Sequence, residues 1–371
     1  MTLVAVLKET AGEQRVAQVP ETLKKLSALG LRVTIERGAG DAAHITDADY
    51  ERAGASIAPS AEAALAEARI VLKVQPPNET EARLLRPDTV LVSFLHLSHQ
   101  QADSPLLARL AGLGVHALAM ERVPRTTRAQ SMDALSSQAT VAGYKSVLLG
   151  ASLCPRLLPM LTTAAGTLTP AKVLVLGAGV AGLQAIATAK RLGAVVAAFD
   201  IRPAVREQVQ SLGARFVDAT GIGSAGEARG GYAAQLGEEQ ERRVREAIDA
   251  ELGDVDLVIA TAQIPGKPAP RLITRRMLRH MKPGAVVVDV AAESGGNCEL
   301  TRGGEAVCEA GVTVLGPTNL ASSVPLHASM MYARNVSALL RVFVENGEVR
   351  LDPKDEIVAA MLVTSNGSIC P

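Results

Sequence analysis

The chain has 371 residues, of which 48% are hydrophobic and 20% are charged. At about 150 residues per domain, this length and composition predict two or three domains with sizeable buried cores. The 38 basic and 38 acidic side chains leave no net charge, which argues against a general nucleic-acid binder or a polybasic membrane-surface protein. Four phenylalanines, four tyrosines and no tryptophan argue against base-stacking surfaces.

Cysteine spacing and apolar stretches bound the cellular context. The four cysteines include no C-x-x-C pair, so we expect reduced thiols and neither a disulfide framework nor a zinc site. The N-terminus lacks the basic start and apolar core of a signal peptide. The best candidate for a membrane span, residues 173–189, is slightly short and contains three glycines. We therefore expect a cytoplasmic chain without its own membrane span.

Strand-like and helix-like segments alternate twice along the chain. Apolar runs predict strands at 3–7, 31–35, 70–74, 90–94, 172–176, 195–199, 215–217, 257–260, 286–289 and 312–315. Helical spacing and composition predict helices at 20–29, 60–68, 205–212, 238–251 and 329–343, with another from the glycines after 176 to 192. This alternation is typical of α/β domains with parallel sheets. The glycine-rich segment 221–231 interrupts it.

The charged helix predicted at 238–251 looks like a solvated surface helix. Its sequence places Glu238 before Arg242 and Glu241 before Arg245, each at the i,i+4 spacing that allows an ion pair. We expect both pairs to form on the exposed face.

A glycine fingerprint is the most informative local motif. Gly177-Ala-Gly179-Val-Ala-Gly182 follows a predicted strand and opens a predicted helix, and Asp200 lies 23 positions after the first glycine. In such motifs the first glycine makes a tight turn, the second lets a pyrophosphate approach the backbone, and the third packs helix on strand. The helix N-terminus then offers N–H groups to the pyrophosphate. We predict a dinucleotide site here, so residues 173–189 are interpreted as a strand and a helix.

Asp200 and Arg202 follow the next predicted strand and bear on the choice between NAD and NADP. Asp200 can accept hydrogen bonds from the adenosine ribose hydroxyls and would repel a 2′-phosphate, which favours NAD over NADP. Arg202 complicates this prediction, since it could pair with such a phosphate.

A polar segment at 124–138 and three scattered side chains remain ambiguous. The polar segment contains Arg125, Arg128, Gln130, Asp133, Ser136 and Ser137. It is either a functional segment or the start of an interdomain helix capped by Ser131 or Asp133. Arg15 could hold a carboxylate, Lys73 could polarise a carbonyl and His96 could move a proton, but solvated charges at strand ends are the commoner case. The other histidines show no ligand spacing, so we predict no metal site.

Four segments together closely resemble the NAD(H)-binding first domain of the proton-translocating NAD(P) transhydrogenases. They are R-A-Q-S-M-D-A-L-S-S-Q at 128–138, the fingerprint and helix at 177–194, I-P-G-K-P-A-P at 264–270 and D-V-A-A-E-S-G-G-N-C at 289–298. The resemblance covers essentially the whole chain. It implies an α/β fold with two Rossmann-like doubly wound parallel-sheet domains and a cleft between them. The first domain, 1–135, would be completed by 320–371, and the NAD-binding domain would span 136–319.

The resemblance also implies a function and a set of site residues. The chain would be an NAD(H)-binding enzyme component, passing hydride to NADP bound on a partner beta subunit, as a homodimer on the cytoplasmic face of the inner membrane. Gln130, Asp133 and Ser136 would lie near the nicotinamide, with Arg125 orienting the ring, and Tyr232 would resemble the tip of a mobile loop. The other implied cofactor contacts are Gly177, Ala178, Gly179, Val180, Gly182, Asp200, Ile201, Arg202, Gln263 and Ile264.

One departure keeps a second hypothesis open. Arg15, Lys73 and His96 match the catalytic pattern of alanine dehydrogenase, a relative that lacks the 128–138 segment. The acidic residue in that relative's D-V-A-I-D-Q-G-G pattern would fall on Glu293, a change from Asp. Alanine dehydrogenase is therefore the alternative enzyme, and an NAD-sensing binding module is a non-enzymatic alternative.

Overall fold

The computed structural model describes residues 1–10, 12–97, 104–219, 227–228, 232–233, 237–264 and 267–370. The chain divides into two compact units. Met1–Gln138 and Ala321–Pro371 form the first unit, and Ala139–Leu320 forms the second. Each unit has its own sheet and its own hydrophobic cores.

The N-terminal part of the first unit alternates strands and helices. Its strands are β1 Thr2–Val6, β2 Leu31–Glu36, β3 Ser56–Ala58, β4 Ile70–Leu72, β5 Val90–Ser93 and β6 His116–Ala119. Its helices are α1 Pro20–Ala28, α2 Asp47–Arg52, α3 Ala61–Leu65, α4 Glu79–Leu84 and α5 Pro105–Gly112. The long helix α6, Ala134–Leu153, contains the boundary between the units.

The second unit follows the same alternation. Its strands are β7 Leu161–Thr163, β8 Gly166–Leu168, β9 Lys172–Leu176, β10 Val195–Phe199, β11 Arg215–Phe216, β12 Glu227–Ala228, β13 Tyr232–Ala233, β14 Leu257–Ala260, β15 Val286–Asp289, β16 Ala306–Glu309 and β17 Val312–Leu315. Its helices are α7 Val180–Arg191, α8 Arg206–Ser211, α9 Glu238–Leu252 and α10 Arg275–Leu278.

The C-terminal segment belongs to the first unit. It contains α11 Pro325–Phe343, β18 Val344–Glu345, β19 Glu348–Val349, α12 Glu356–Met361, β20 Leu362–Ser365 and β21 Ser368–Ile369. Strand β20 pairs antiparallel with β6, and β21 pairs antiparallel with β20. One apolar face of α11, including Tyr332, Val336 and Leu340, is buried in the core of the first unit.

The first sheet has the strand order β21-β20-β6-β5-β4-β1-β2-β3. Strands β1 to β6 are all parallel. Every residue of β4 and of β5 is buried, as expected for central strands covered on both faces. The strand order reverses between β1 and β4, so their carboxyl ends form the topological switch point where such sheets bind ligands.

The second sheet has the strand order β11-β10-β9-β14-β15-β17-β16. Among its described strands, β16 at one edge runs antiparallel to its neighbour and the others are parallel. Helices on both faces complete two cores, one packed with residues of α9 and α10 and the other with residues of α7. Here the strand order reverses between β9 and β14, and Leu176 is paired with Ala260 at their carboxyl ends.

The predicted α/β class with two Rossmann-like parallel-sheet domains is confirmed. Residues 173–189 form most of β9 and of α7, as predicted, and none of the helices in the described part of the chain is long and apolar enough to cross a membrane. The predicted ion pair of Glu238 with Arg242 is wrong. Arg242 pairs instead with Glu239 at 2.8 Å and Glu246 at 2.6 Å, which are also one helical turn away.

Candidate functional site

The first and third fingerprint glycines, Gly177 and Gly182, lie where a side chain does not fit. Gly177 follows β9 with φ +92°, and an added Cβ would lie 2.9 Å from the Ala262 nitrogen. An added Cβ on Gly182 would lie 1.8 Å from the Gly177 carbonyl oxygen. The Thr261 hydroxyl also donates to that carbonyl, at 2.9 Å. The start of α7 therefore packs against the β9 turn and the loop after β14 without room for a side chain.

The second fingerprint glycine faces open space. Gly179 is the N-cap of the 12-residue helix α7, and an added Cβ there would meet no heavy atom within 4 Å. The next residue, Val180, is 41% exposed. Because the first turn of a helix has N–H groups without intrahelical partners, this end of α7 can receive an anionic group.

Asp200 lies at the end of β10, beside the fingerprint. Its Oδ2 atom accepts from the Ala178 amide at 2.7 Å and from Arg202 Nη2 at 2.9 Å. Its Oδ1 atom accepts from the Arg202 amide at 2.9 Å and from Arg202 Nε at 3.0 Å. The structure thus joins three predicted site residues, and the neighbouring Ile201 packs against the core of the second unit.

The loop after β14 carries Gln263 and Ile264 and is held by a residue that sequence reasoning missed. Asn297 is fully buried, donates from Nδ2 to the Ala262 and Pro270 carbonyls at 2.8 and 2.9 Å, and accepts from the Ala262 amide at 3.0 Å. These bonds fix the backbone directly before Gln263. The signal was present in the segment 289–298, but only the tertiary fold shows which loop the amide holds.

Asp289, at the end of β15, organises that segment. It accepts from the Ala291 and Cys298 amides at 3.0 and 2.9 Å and from the Thr301 hydroxyl at 2.5 Å. Burial raises the pKa of Asp289, and these hydrogen bonds lower it to a smaller extent. Burial also raises the pKa of the Cys298 thiol to about 11. Glu293 accepts from the Asn319 amide at 3.1 Å.

The polar segment 124–138 lies in the first unit and includes the first residues of α6, which begins at Ala134. Asp133 caps this helix, because its Oδ1 accepts from the Ser136 amide at 2.9 Å and its Oδ2 from the Ser136 hydroxyl at 2.5 Å. Arg125 and Gln130 are exposed. Of the two caps weighed from the sequence, Asp133 is therefore the one that forms, and a role in binding remains a prediction.

Arg15 and Lys73 lie among carboxylates at the switch point of the first sheet. Lys73 Nζ is 3.2 Å from Glu9 and 3.2 Å from Glu81, and all three side chains are buried. Arg15 donates from Nε and Nη2 to Glu13 at 2.8 and 2.7 Å. Burial raises the pKa of Glu9, while the nearby Lys73 ammonium lowers it to a smaller extent.

Further hydrogen bonds extend this cluster. Arg15 Nη1 donates to Gln138 Oε1 at 2.7 Å, and Gln75 donates from Nε2 to Glu13 at 2.8 Å. His96 Nε2 lies 2.6 Å from Gln75 Oε1. Glu9, the partner of Lys73, accepts from the Gln75 amide at 3.3 Å, so the three residues of the alanine dehydrogenase hypothesis belong to one connected network in the first unit.

The remaining predicted residues are placed only in part. The Tyr232 backbone lies in β13, paired antiparallel with Ala228, and its side chain lies outside the described residues. Most of the glycine-rich segment 221–231 also lies outside them. The fingerprint, Asp200 and Gln263 belong to the second unit, whereas Arg125, Gln130, Asp133 and Ser136 belong to the first.

Two doubly wound sheets, one carrying a glycine turn and an acidic residue at the ends of adjacent strands, are the architecture of the Rossmann class of dinucleotide-binding proteins. Comparison with known proteins agrees. The family profile "Alanine dehydrogenase/PNT, N-terminal domain" matches residues 5–142, and "Alanine dehydrogenase/PNT, C-terminal domain" matches residues 146–371. The chain belongs to this alanine dehydrogenase/PNT family.

Individual relatives point to the transhydrogenase branch. The chain is 47% identical to the first part of NAD(P) transhydrogenase subunit alpha of Rhodospirillum rubrum, over 99% of this chain and 97% of the relative. It is 43% identical to the crystal structure of a transhydrogenase from Sinorhizobium meliloti, with a TM-score of 0.88 and 99% of each chain covered. An L-alanine dehydrogenase structure is 27% identical, with a TM-score of 0.79 and coverage of 99% and 96%. The predicted oxidoreductase component of transhydrogenase type is confirmed.

Proposed function

We propose that this chain is the NAD(H)-binding subunit of a membrane transhydrogenase. It would pass hydride between NADH and NADP held by a beta subunit, coupled to proton translocation. The observation that carries the NAD(H) site is the glycine turn at the end of β9, which leaves open space over Gly179 at the N-terminus of α7. The Rhodospirillum rubrum relative, named as the first part of an alpha subunit, supports a function shared with other subunits.

The site residues divide into three proposed roles. Gly177, Gly179 and Gly182, with Ala178 and Val180, would receive the pyrophosphate at the N-terminus of α7. Asp200 would accept from the adenosine ribose, flanked by Ile201 and Arg202. Gln263, Ile264 and Tyr232 would supply further contacts to the dinucleotide.

The polar segment of the first unit would orient the nicotinamide. The amide of Gln130 and the carboxylate of Asp133 can fix the angle of a ring, and Ser136 is already bonded to Asp133. Arg125 would hold the nucleotide beside them. NADH supplies the hydride, so these side chains need to position groups and not to transfer protons.

Partners and assembly form the finer part of the proposal. The chain would lie on the cytoplasmic face of the inner membrane, bound to the membrane subunit and the beta subunit, as a homodimer. The β7–β8 hairpin supports self-association. All six of its strand residues are exposed, and Leu161 and Leu168 lie opposite each other without a charged residue between them. Such an isolated hairpin is marginally stable in water until another surface covers it.

The test is a reconstituted hydride-transfer assay. The purified chain should bind NADH but reduce little NADP until membranes containing the beta-type partner are added. Robust NADP reduction by the chain alone would contradict the proposal. Unchanged NADH oxidation after the partner is added would favour the NAD-sensing module instead.

The same preparation tests the alanine dehydrogenase alternative. Both cations of that hypothesis are already balanced by internal carboxylates, Lys73 by Glu9 and Glu81 and Arg15 by Glu13. A carboxylate substrate would have to compete with these buried pairs. We expect no alanine-dependent NAD reduction, and a clear rate would establish the alternative.

A further inference from the structure

The carboxylate of Asp200 is saturated with donors. An ionised carboxylate has about four lone-pair positions, and four N–H groups already lie within 3.0 Å of its two oxygens. Two of these donors are backbone amides, of Ala178 and Arg202, which are fixed by the turn. The other two come from the Arg202 side chain, which is the part that can move.

A ribose hydroxyl can therefore reach Asp200 only when the Arg202 side chain gives up a position. Both Asp200 and Arg202 are largely buried, with side chains 6% and 14% exposed. The guanidinium is consequently neutralised by Asp200 beside the place where the fingerprint rule puts the adenosine ribose. A 2′-phosphate arriving there would meet a neutral pair and not a free cation.

We propose that Arg202 is a specificity-determining residue, which Asp200 withholds from the 2′-phosphate of NADP. This inference rests on the proposed NAD(H) site and goes beyond it. Asp200 then favours NAD in two ways, by accepting from the ribose and by neutralising the arginine that would otherwise bind NADP. A guanidinium released from its carboxylate is a strong partner for phosphate.

A second paired arginine close by in the sequence supplies a matched control. Arg206, on α8, pairs with Asp218 and lies four residues after Arg202. It is also an arginine paired with an aspartate, but it is more exposed and does not contact Asp200. Removing Arg206 lowers the local positive charge equally without touching the proposed specificity pair.

The experiment measures dissociation constants for NADH and NADPH by calorimetry on the full chain. Asp200→Asn keeps an oxygen acceptor for the Ala178 amide but removes the charge. We expect the dissociation constant for NADPH, divided by that for NADH, to fall by about tenfold or more. The reason is that the released Arg202 guanidinium gains a charge-assisted hydrogen bond to the 2′-phosphate of NADPH. Asp200→Asn with Arg202→Ala should lose the gain in NADPH affinity, whereas Asp200→Asn with Arg206→Gln should keep it.

If the Asp200→Asn protein does not fold, the single variant Arg202→Ala still tests the inference. Arg202→Ala leaves Asp200 charged and open, so we expect tighter NADH binding and weaker NADPH binding than in the wild type. The inference is overturned if the NADPH gain survives the loss of Arg202, or if Arg202→Ala weakens NADH binding. A wild-type chain that binds no NADH would instead overturn the proposed function itself.

Discussion

The two units have the same parallel strand order but fill their switch points differently. In the first unit, buried charged side chains lie at the ends of β1 and β4. Lys73 pairs there with Glu9 and Glu81, and Arg15 pairs with Glu13 beside them. In the second unit, the corresponding space between β9 and β14 holds a glycine turn, with open space over Gly179.

This difference shows that strand order determines where a switch point lies, whereas the side chains around it determine whether it can bind a ligand. At the carboxyl end of the first unit's sheet, this position is filled by buried charges that are paired with one another inside the protein. In the second unit it leaves backbone N–H groups at a helix N-terminus, as a ligand with phosphates requires.

The largest expected effect comes from adding one methyl group to the glycine turn. Gly182→Ala would place Cβ 1.8 Å from the Gly177 carbonyl oxygen, so we expect loss of NADH binding together with a large loss of stability. Gly179→Ala meets no atom within 4 Å, so it should fold normally and still bind NADH at least tenfold more weakly, because the methyl occupies the proposed pyrophosphate position. Thermal unfolding and NADH titration of both variants measure this contrast. Normal NADH affinity in Gly179→Ala would place the pyrophosphate elsewhere.

Breaking the charge cluster of the first unit should have the next largest effect. Lys73→Met leaves Glu9 and Glu81 buried without their cation, and we expect a loss of about 3–5 kcal/mol in the free energy of unfolding. Denaturant unfolding measures it. Arg83→Gln, which removes an exposed pair with Glu79, serves as the control and should leave the unfolding midpoint unchanged. A Lys73→Met protein of wild-type stability would show that the cluster is not structural.

Removing the Asn297 side chain, which holds the loop after β14, should lower the free energy of unfolding by less than Lys73→Met does. Asn297→Ala leaves partly buried backbone groups of Ala262 and Pro270 without this partner, so we expect a loss of up to about 1–3 kcal/mol in the free energy of unfolding. We also expect weaker NADH binding, because Gln263 follows the released backbone. Asn78→Ala removes the N-cap of α4 in the first unit, so it should lower stability without changing NADH affinity. Equal NADH affinities in both variants would remove Asn297 from the site.

The smallest expected effect is a pH dependence. Burial raises the pKa of Asp289 above its ordinary 3.8, so the folded protein binds this proton more readily than the unfolded chain. Its contribution to the free energy of unfolding is present below pH 3.8 and is lost as pH rises through the folded pKa. The stability difference between wild type and Asp289→Asn should therefore decrease with rising pH in the acidic range and then level off. The opposite slope would mean that the hydrogen bonds dominate over burial. Glu9, in the first unit, should behave with the same sign.

The sequence predicted the elements that local patterns define. Apolar runs placed β9, β10, β14 and β15 with the bounds observed, and the spacing from Gly177 predicted Asp200 beside the turn. Strands β20 and β21 were not predicted, because β20 pairs with β6, which lies about 250 residues earlier in the chain, and β21 pairs in turn with β20.

Side-chain partners were harder to predict than elements. Asp200 accepts four hydrogen bonds, and Asn297 bonds the backbone of Ala262. Both sets of hydrogen bonds depend on loops that come together only in the folded chain. The charges of Arg15 and Lys73 were visible in the sequence, but their neutralisation by Glu13, Glu9 and Glu81 was not.

Amide hydrogen exchange with and without NADH tests the central claim most directly. If the dinucleotide binds the open switch point of the second unit, peptides covering 174–186 should become strongly protected when NADH is added. NADH binding with no protection in that segment, and with protection confined to 70–82 in the first unit, would contradict the account.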